Sequence, residues 1–207
     1  MGALGNGPRL ERENQELRRR LAETQSQIEA AEISERRLTA YLRDGGFPIS
    51  DGFKEIPAEI IGIFASGSRM VLNVGSDQGV GPDMAVVDPR GLAGIVETVE
   101  KDRCQVVLVT VSGPKVDAVV LRDGEPTGFV TGESPRVLLM ELRERTEAAV
   151  GDLVVTGGLS QSMPAGIPIG EIIELAETPE RGFYPTARIF PRFRLGLAKE
   201  VKVLAPQ

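Results

Sequence analysis

Ala85-Val-Val-Asp-Pro-Arg-Gly-Leu-Ala-Gly-Ile-Val-Glu-Thr-Val99 sets two apolar runs, 85–88 and 92–99, on either side of a short Pro-Arg-Gly break. Runs of this length, rich in Val and Ile and bounded by turn residues, read as β-strands. The same pattern recurs outward in both directions. Twelve candidate strands follow: 59–64, 70–74, 85–88, 92–99, 105–111, 117–121, 127–131, 136–142, 153–156, 167–174, 186–190 and 200–204. A spacing of about ten residues suits a sandwich or closed barrels, not strands alternating with helices. Twelve strands in so short a stretch predict two small β domains rather than one large one.

Upstream of the strands the period changes. From Leu10 to Arg43 there is no Gly or Pro, with Pro8 before the run and Gly45-Gly46 after it, as at the ends of a helix. Alternating steps of four and three pick out Leu10, Asn14, Leu17, Leu21, Thr24, Ile28, Ala31, Glu35, Leu38 and Leu42. That narrow seam is the spacing of a coiled coil, and an Asn at an a position favours a two-stranded register. Glu35 interrupts the seam, so pairing is expected to be strongest from Leu10 to Leu21. The rival reading is a single amphipathic helix packed on the β body. Eight Arg balance eight acidic residues over 9–44, and Arg18-Arg19-Arg20 is read as a solvated face paired with neighbouring glutamates. Residues 1–9 read as a disordered leader, and 45–56, with Gly45-Gly46, Pro48 and Gly52, as a linker.

Composition removes function classes. The 207 residues carry a net charge of −6, which argues against nucleic acid and against an anionic lipid surface. There is no His, so Ser-His-Asp and Cys-His nucleophiles cannot be built. One Cys without His also rules out the usual zinc sites. Cys104 reads as a small buried hydrophobe. No run approaches the apolar length of a membrane-spanning helix. Gly75 to Gly81 is Gly-rich around Gly75 and Gly79, yet Pro82-Asp83 and a β run follow where a phosphate cradle needs a helix; it reads as a tight turn. Gly157 to Gly166 contains Ser160 and Ser162 without the flanking pattern of a nucleophile elbow. Acids such as Asp83, Asp88, Asp123 and Glu125 sit at turn positions. No catalytic, metal or cofactor residues are assigned.

The order of motifs carries a resemblance. Leu10-Glu-Arg-Glu-Asn-Gln-Glu-Leu-Arg18 stands on the coiled coil, then Leu72-Asn-Val-Gly-Ser-Asp-Gln-Gly-Val80, Met84-Ala-Val-Val and Gly91-Leu-Ala-Gly-Ile-Val96. Gly151-Asp152-Leu-Val-Val-Thr-Gly157 and Pro164-Ala-Gly166-Ile-Pro-Ile-Gly170 come last. The series resembles the MreC family of bacterial rod shape-determining proteins, with Ala93-Gly94-Ile95 where Val-Gly-Arg is usual and Met163-Pro164 where Phe-Pro is common. The resemblance implies a mainly β fold: a coiled-coil helix over 10–44 and two small six-stranded β-barrels, the second inserted in the first. The expected division is 57–95 plus 168–207 for the first barrel and 96–167 for the second.

It also implies a non-catalytic scaffold of cell-wall elongation, a homodimer on the outer face of the inner membrane, held by an N-terminal anchor helix absent from this sequence. The implied partners are MreD, a class B penicillin-binding transpeptidase, RodA and, indirectly, MreB. Sheet edges and apolar faces would receive them, strand addition included. The rivals are a periplasmic coiled-coil adaptor of a transport system, which needs a returning helix that is not seen, and a carboxylate-dependent peptidoglycan hydrolase.

Overall fold

The computed structural model describes residues 15–21, 25, 47, 49, 52–64, 66–122, 126–143, 146–176 and 184–207. Residues 15–21 and 25 are helical. All twelve strands lie in the compact unit Arg43–Gln207. They are β1 (Phe53–Ile63), β2 (Arg69–Leu72), β3 (Ala85–Asp88), β4 (Gly91–Val99), β5 (Cys104–Leu108), β6 (Val116–Val120), β7 (Pro126–Ser134), β8 (Val137–Leu142), β9 (Leu153–Thr156), β10 (Pro168–Ala176), β11 (Thr186–Pro191) and β12 (Glu200–Pro206).

Alternation builds each barrel. On β8, Leu138, Met140 and Leu142 point inward and their neighbours outward, as a period of two requires. The first barrel closes in the order β1-β12-β3-β4-β5-β2 and the second in the order β10-β11-β8-β7-β6-β9, every pair antiparallel. The chain leaves the first barrel after β5, completes the second, and returns as β12 between β1 and β3.

The expected boundaries of the insert, 96–167, differ from this course. β4 and β5 complete the first barrel, with Cys104 opposite Leu72 on β2. β10 and β11 complete the second, Gly170 facing Pro191. The second barrel's strands therefore run from Val116 to Pro191. No composition shift marks either crossing, because consecutive strands of both barrels carry the same aliphatic alternation. The expected linker is also shortened: β1 starts at Phe53 because it pairs with β12 as far as Phe53↔Pro206.

Both interiors are aliphatic. Met70, Leu72, Val86, Val106 and Val203 fill the first barrel, and Val130, Leu138, Met140, Ile169 and Ile189 the second. The second core does not stop at its own barrel. Ala85, Val87, Leu92 and Leu204, from the first barrel's outer face, belong to the same cluster. This explains why β3 and the start of β4 are buried on both faces. Gly91 marks the closest approach: a Cβ there would lie 2.2 Å from the Pro168 carbonyl oxygen. The two barrels are packed as one body.

Candidate interaction surface

The motif glycines and their neighbours are architectural. Gly75 opens a 3-10 turn, Ser76–Gln78, and its N–H donates to Gln78 Oε1 at 2.8 Å. The turn docks on the β4–β5 hairpin, where Ser76 N–H donates to Glu100 O at 2.9 Å and Asp77 N–H to Lys101 O at 3.1 Å. A Cβ on Gly75 would lie 2.3 Å from Glu100 O, and Gly79 ends the turn at φ +89°. Backbone N–H groups that a phosphate would need are thus spent on the hairpin.

The other motif residues gather around β9 and β10. Gly151 donates its N–H to Ile172 O at 2.8 Å. Asp152, buried, accepts from Ala149 N–H at 2.8 Å and from both prongs of the Arg122 guanidinium at 2.7 Å. This pairing pushes the Arg122 guanidinium further up from its already high range. The Pro164 carbonyl accepts from Thr156 Oγ1 at 2.6 Å, and that oxygen accepts from Ile167 N–H at 2.9 Å. Gly166 donates to Thr156 O, and Gly170 lets β10 meet β11, where a Cβ would stand 2.3 Å from Phe190 O. Ser160 Oγ accepts from Ser162 N–H at 3.2 Å within the same loop, a turn contact rather than an activated nucleophile.

Reactive chemistry is scarce. Cys104 is buried, and burial pushes its thiol up to about 11, which keeps it protonated. Among the described residues no three acidic or sulfur ligands cluster as a metal would require.

The outside of the barrels offers charge pairs and single apolar side chains. Arg69 on β2 reaches Glu97 on β4 with two hydrogen bonds, 2.5 and 2.8 Å. The bond from Arg69 holds the Glu97 carboxyl below its ordinary range. Arg188 on β11 lies between Glu133 (3.2 Å) and Glu174 (3.0 Å). Arg194 stacks over the Phe190 ring, 5.2 Å from its centroid. Ile61, Ile63 and Phe64 at the end of β1, and Phe129, Ile173 and Tyr184 on the second barrel, are exposed. A groove of about 510 Å³ lies over β1, β12 and β3, with Phe47 and Ile49 on its wall.

Sequence reading did not single out these surface residues. Outward side chains leave no periodic signal beyond being polar, and Ile61 faces out on the same side of β1 as Glu55, Pro57 and Glu59. Phe47 and Ile49 did leave one: two large apolar residues inside a Gly/Pro linker, here half-buried against the shared core. Both barrels close, with β1 divided between two neighbours, Phe53–Glu59 pairing with β12 and Ile60–Ile63 with β2.

Of the seam, Leu17 and Leu21 lie on helical residues and are 55 % and 59 % exposed. Arg20 pairs with Glu16 one turn back, at 2.6 Å. Leu10, Asn14, Thr24, Ile28, Ala31, Leu38 and Leu42 lie outside the described residues. Among the described residues no helix is long and apolar enough to cross a membrane.

The family model for the rod shape-determining protein MreC, barrel core, matches residues 65–205, nearly the whole double barrel. The chain belongs to the MreC family. The cell shape-determining protein MreC of Listeria monocytogenes is 33 % identical over 189 residues, covering 86 % of this chain and 63 % of that protein. The chain thus spans about three fifths of the length of that curated relative. A solved MreC structure from Listeria monocytogenes superposes with a TM-score of 0.69 at 30 % identity, covering 94 % of this chain and 96 % of its own. The MreC of Helicobacter pylori, solved in a complex with penicillin-binding protein PBP2, shares the fold with a TM-score of 0.62 at 18 % identity, over 75 % of this chain and 99 % of that one. Ile95 is half-buried against the inter-barrel core, and Met163 fills the second core.

Proposed function

We propose that this chain is a non-catalytic scaffold of the cell-wall elongation machinery that maintains rod shape. The observation that carries this reading is the double barrel, matched by the MreC model over 65–205 and fused through one core. Such a body presents fixed surfaces and holds them at a constant angle. A class B penicillin-binding transpeptidase is the first partner, supported by the Helicobacter pylori MreC solved with PBP2. MreD, RodA and, through them, MreB complete the assembly. The chain dimerises through Leu10, Asn14, Leu17, Leu21 and the weaker seam beyond, Thr24, Ile28, Ala31, Leu38 and Leu42. It works on the extracytoplasmic face of the inner membrane, held there by an anchor helix. The turn residues Gly75, Gly79, Gly151, Asp152, Pro164, Gly166 and Gly170 serve it by fixing loop geometry.

Two measurements test this. Immobilised full chain is exposed to the purified class B transpeptidase encoded in the same genome; saturable binding is expected, and its absence with folded partners overturns the scaffold reading. Sedimentation of the full chain with Leu17→Arg and Leu21→Arg is expected to give a monomer where the parent is a dimer. An unchanged dimer removes the seam from the model of assembly. Turnover of purified peptidoglycan by the chain would favour the hydrolase rival.

A further inference from the structure

Phe47 and Ile49 stand in a stretch whose sequence, with Gly45-Gly46, Pro48 and Gly52, favours neither helix nor strand. Both are nevertheless half-buried against the core that the two barrels share, as is Phe53, the first residue of β1. They also line the groove over β1 and β12 together with Val87, a residue of that shared core on β3.

The joint they pack against is separable from the first barrel's interior. Ala85, Val87, Leu92 and Leu204 come from the outer face of the first barrel and belong to the cluster that fills the second. The first barrel's own interior, around Leu72, Cys104 and Val106, is a different cluster. Parting the barrels would therefore expose the joint and leave the first interior closed. The linker is tied down unevenly as well. On its C-terminal side the Gly52 carbonyl accepts from Gln207 N–H at 2.8 Å, and the ladder with β12 begins at Phe53↔Pro206. Ahead of that ladder, Phe47 and Ile49 are held by the burial of two side chains. Segments held by so little buried apolar surface open at lower free energy than laddered strands.

We infer that Phe47 and Ile49 form a releasable strap that braces the joint between the barrels. Docked, the strap keeps the barrels as one body. Released, it lets the joint open while the first barrel stays closed. Its place in the chain supplies the trigger. The strap lies between the heptad spacing that ends at Leu42 and the start of β1, so a pull along the chain from the N-terminal side loads Phe47 and Ile49 before it loads the ladder. This deepens the scaffold reading, whose constant angle then depends on the strap, yet it is measured without any partner and fails independently of partner binding.

Thiol labelling of the full chain tests the proposal. Leu92→Cys sets a reporter in the joint, away from the groove that Phe47 and Ile49 line. Native Cys104 reports on the first interior in the same molecule, and mass spectrometry of the two peptides separates the sites. In this background, Phe47→Ser with Ile49→Ser is expected to speed labelling at position 92 at least tenfold and to leave Cys104 within about twofold. Phe47→Leu with Ile49→Val keeps the apolar contact and is expected to leave both sites within about twofold. Unchanged labelling at position 92 in the serine variant overturns the proposal. A parallel rise at both thiols overturns it too, because the two residues would then support the whole fold rather than the joint. A tenfold rise at position 92 in the conservative variant has the same consequence.

Discussion

Substituting Gly91 by Ala should loosen the seam between the barrels, and the size of the effect can be worked from its surroundings. A Cβ at this position stands 2.2 Å from the Pro168 carbonyl oxygen, whereas ordinary contact begins at 3.4 Å, so the barrels must part locally by 1.2 Å. A gap of about 1 Å forfeits up to about half of the dispersion attraction across it. Leu92 and Leu204, fully buried at this seam, are each worth about 1.5–3 kcal/mol by burial. Losing roughly a third of each gives about 1–2 kcal/mol. The backbone adds about 1–3 kcal/mol, because φ at Gly91 is +154°, a conformation costly for Ala.

The expected loss is therefore about 2–5 kcal/mol. Gly113→Ala is the control: its φ is +138°, but nothing lies within 4 Å of the added Cβ, so it carries the backbone cost alone. Urea unfolding followed by far-UV circular dichroism reads both. Gly91→Ala is expected to fall about 1–2 kcal/mol below Gly113→Ala and to broaden or split the transition as the barrels uncouple. Equal stability of the two variants, each with a single sharp transition, would refute the reasoning that the seam is rigid.

Four further outcomes are expected. Thr156→Val keeps the shape of a fully buried side chain but orphans the Pro164 carbonyl and the Ile167 N–H, and should cost about 2–4 kcal/mol in the same assay; a loss under about 1 kcal/mol would mean that the loop rearranges freely. Cys104 in the native chain should react with a thiol reagent at pH 8 only as fast as the protein unfolds, and at once in denaturant; immediate stoichiometric labelling of the native chain would contradict its burial. The same thiol ionises near 9 when exposed and at about 11 when folded, so it contributes to a decline in stability only as pH rises past about 9. Glu97→Gln should destabilise the chain at pH 7, with the difference from the parent shrinking toward pH 3. A carboxylate whose folded pKa is depressed supports the fold above its ordinary pKa and loses that support as pH falls through its folded value; a difference independent of pH would remove the Arg69 bond as its cause.

Much of this molecule was legible in its residues. Ala85–Asp88 and Leu153–Thr156 fall where their apolar runs place them, and the other ten strands overlap the expected runs. The tight turn at Gly75 and the buried thiol at Cys104 were legible too, because both follow from local chemistry. The groove over β1 and β12 was not. Glu59 and Glu200, which line it, are 141 positions apart and share a register only because β12 returns to pair with β1. Nothing in either neighbourhood marks that pairing.

The sequence by itself determined strand number, the inward face of each strand, an aliphatic core and the absence of histidine chemistry, since these depend on residue type and a period of two. Tertiary structure alone decided which strands share a barrel. Val96 and Val106, or Ile169 and Ile189, carry the same alternation, and only pairing register assigns one set to each core. It also decided that the barrels are one body. Leu92 and Leu204 are inner-looking residues on an outer face, and it is the second barrel, packed against them, that takes them out of water.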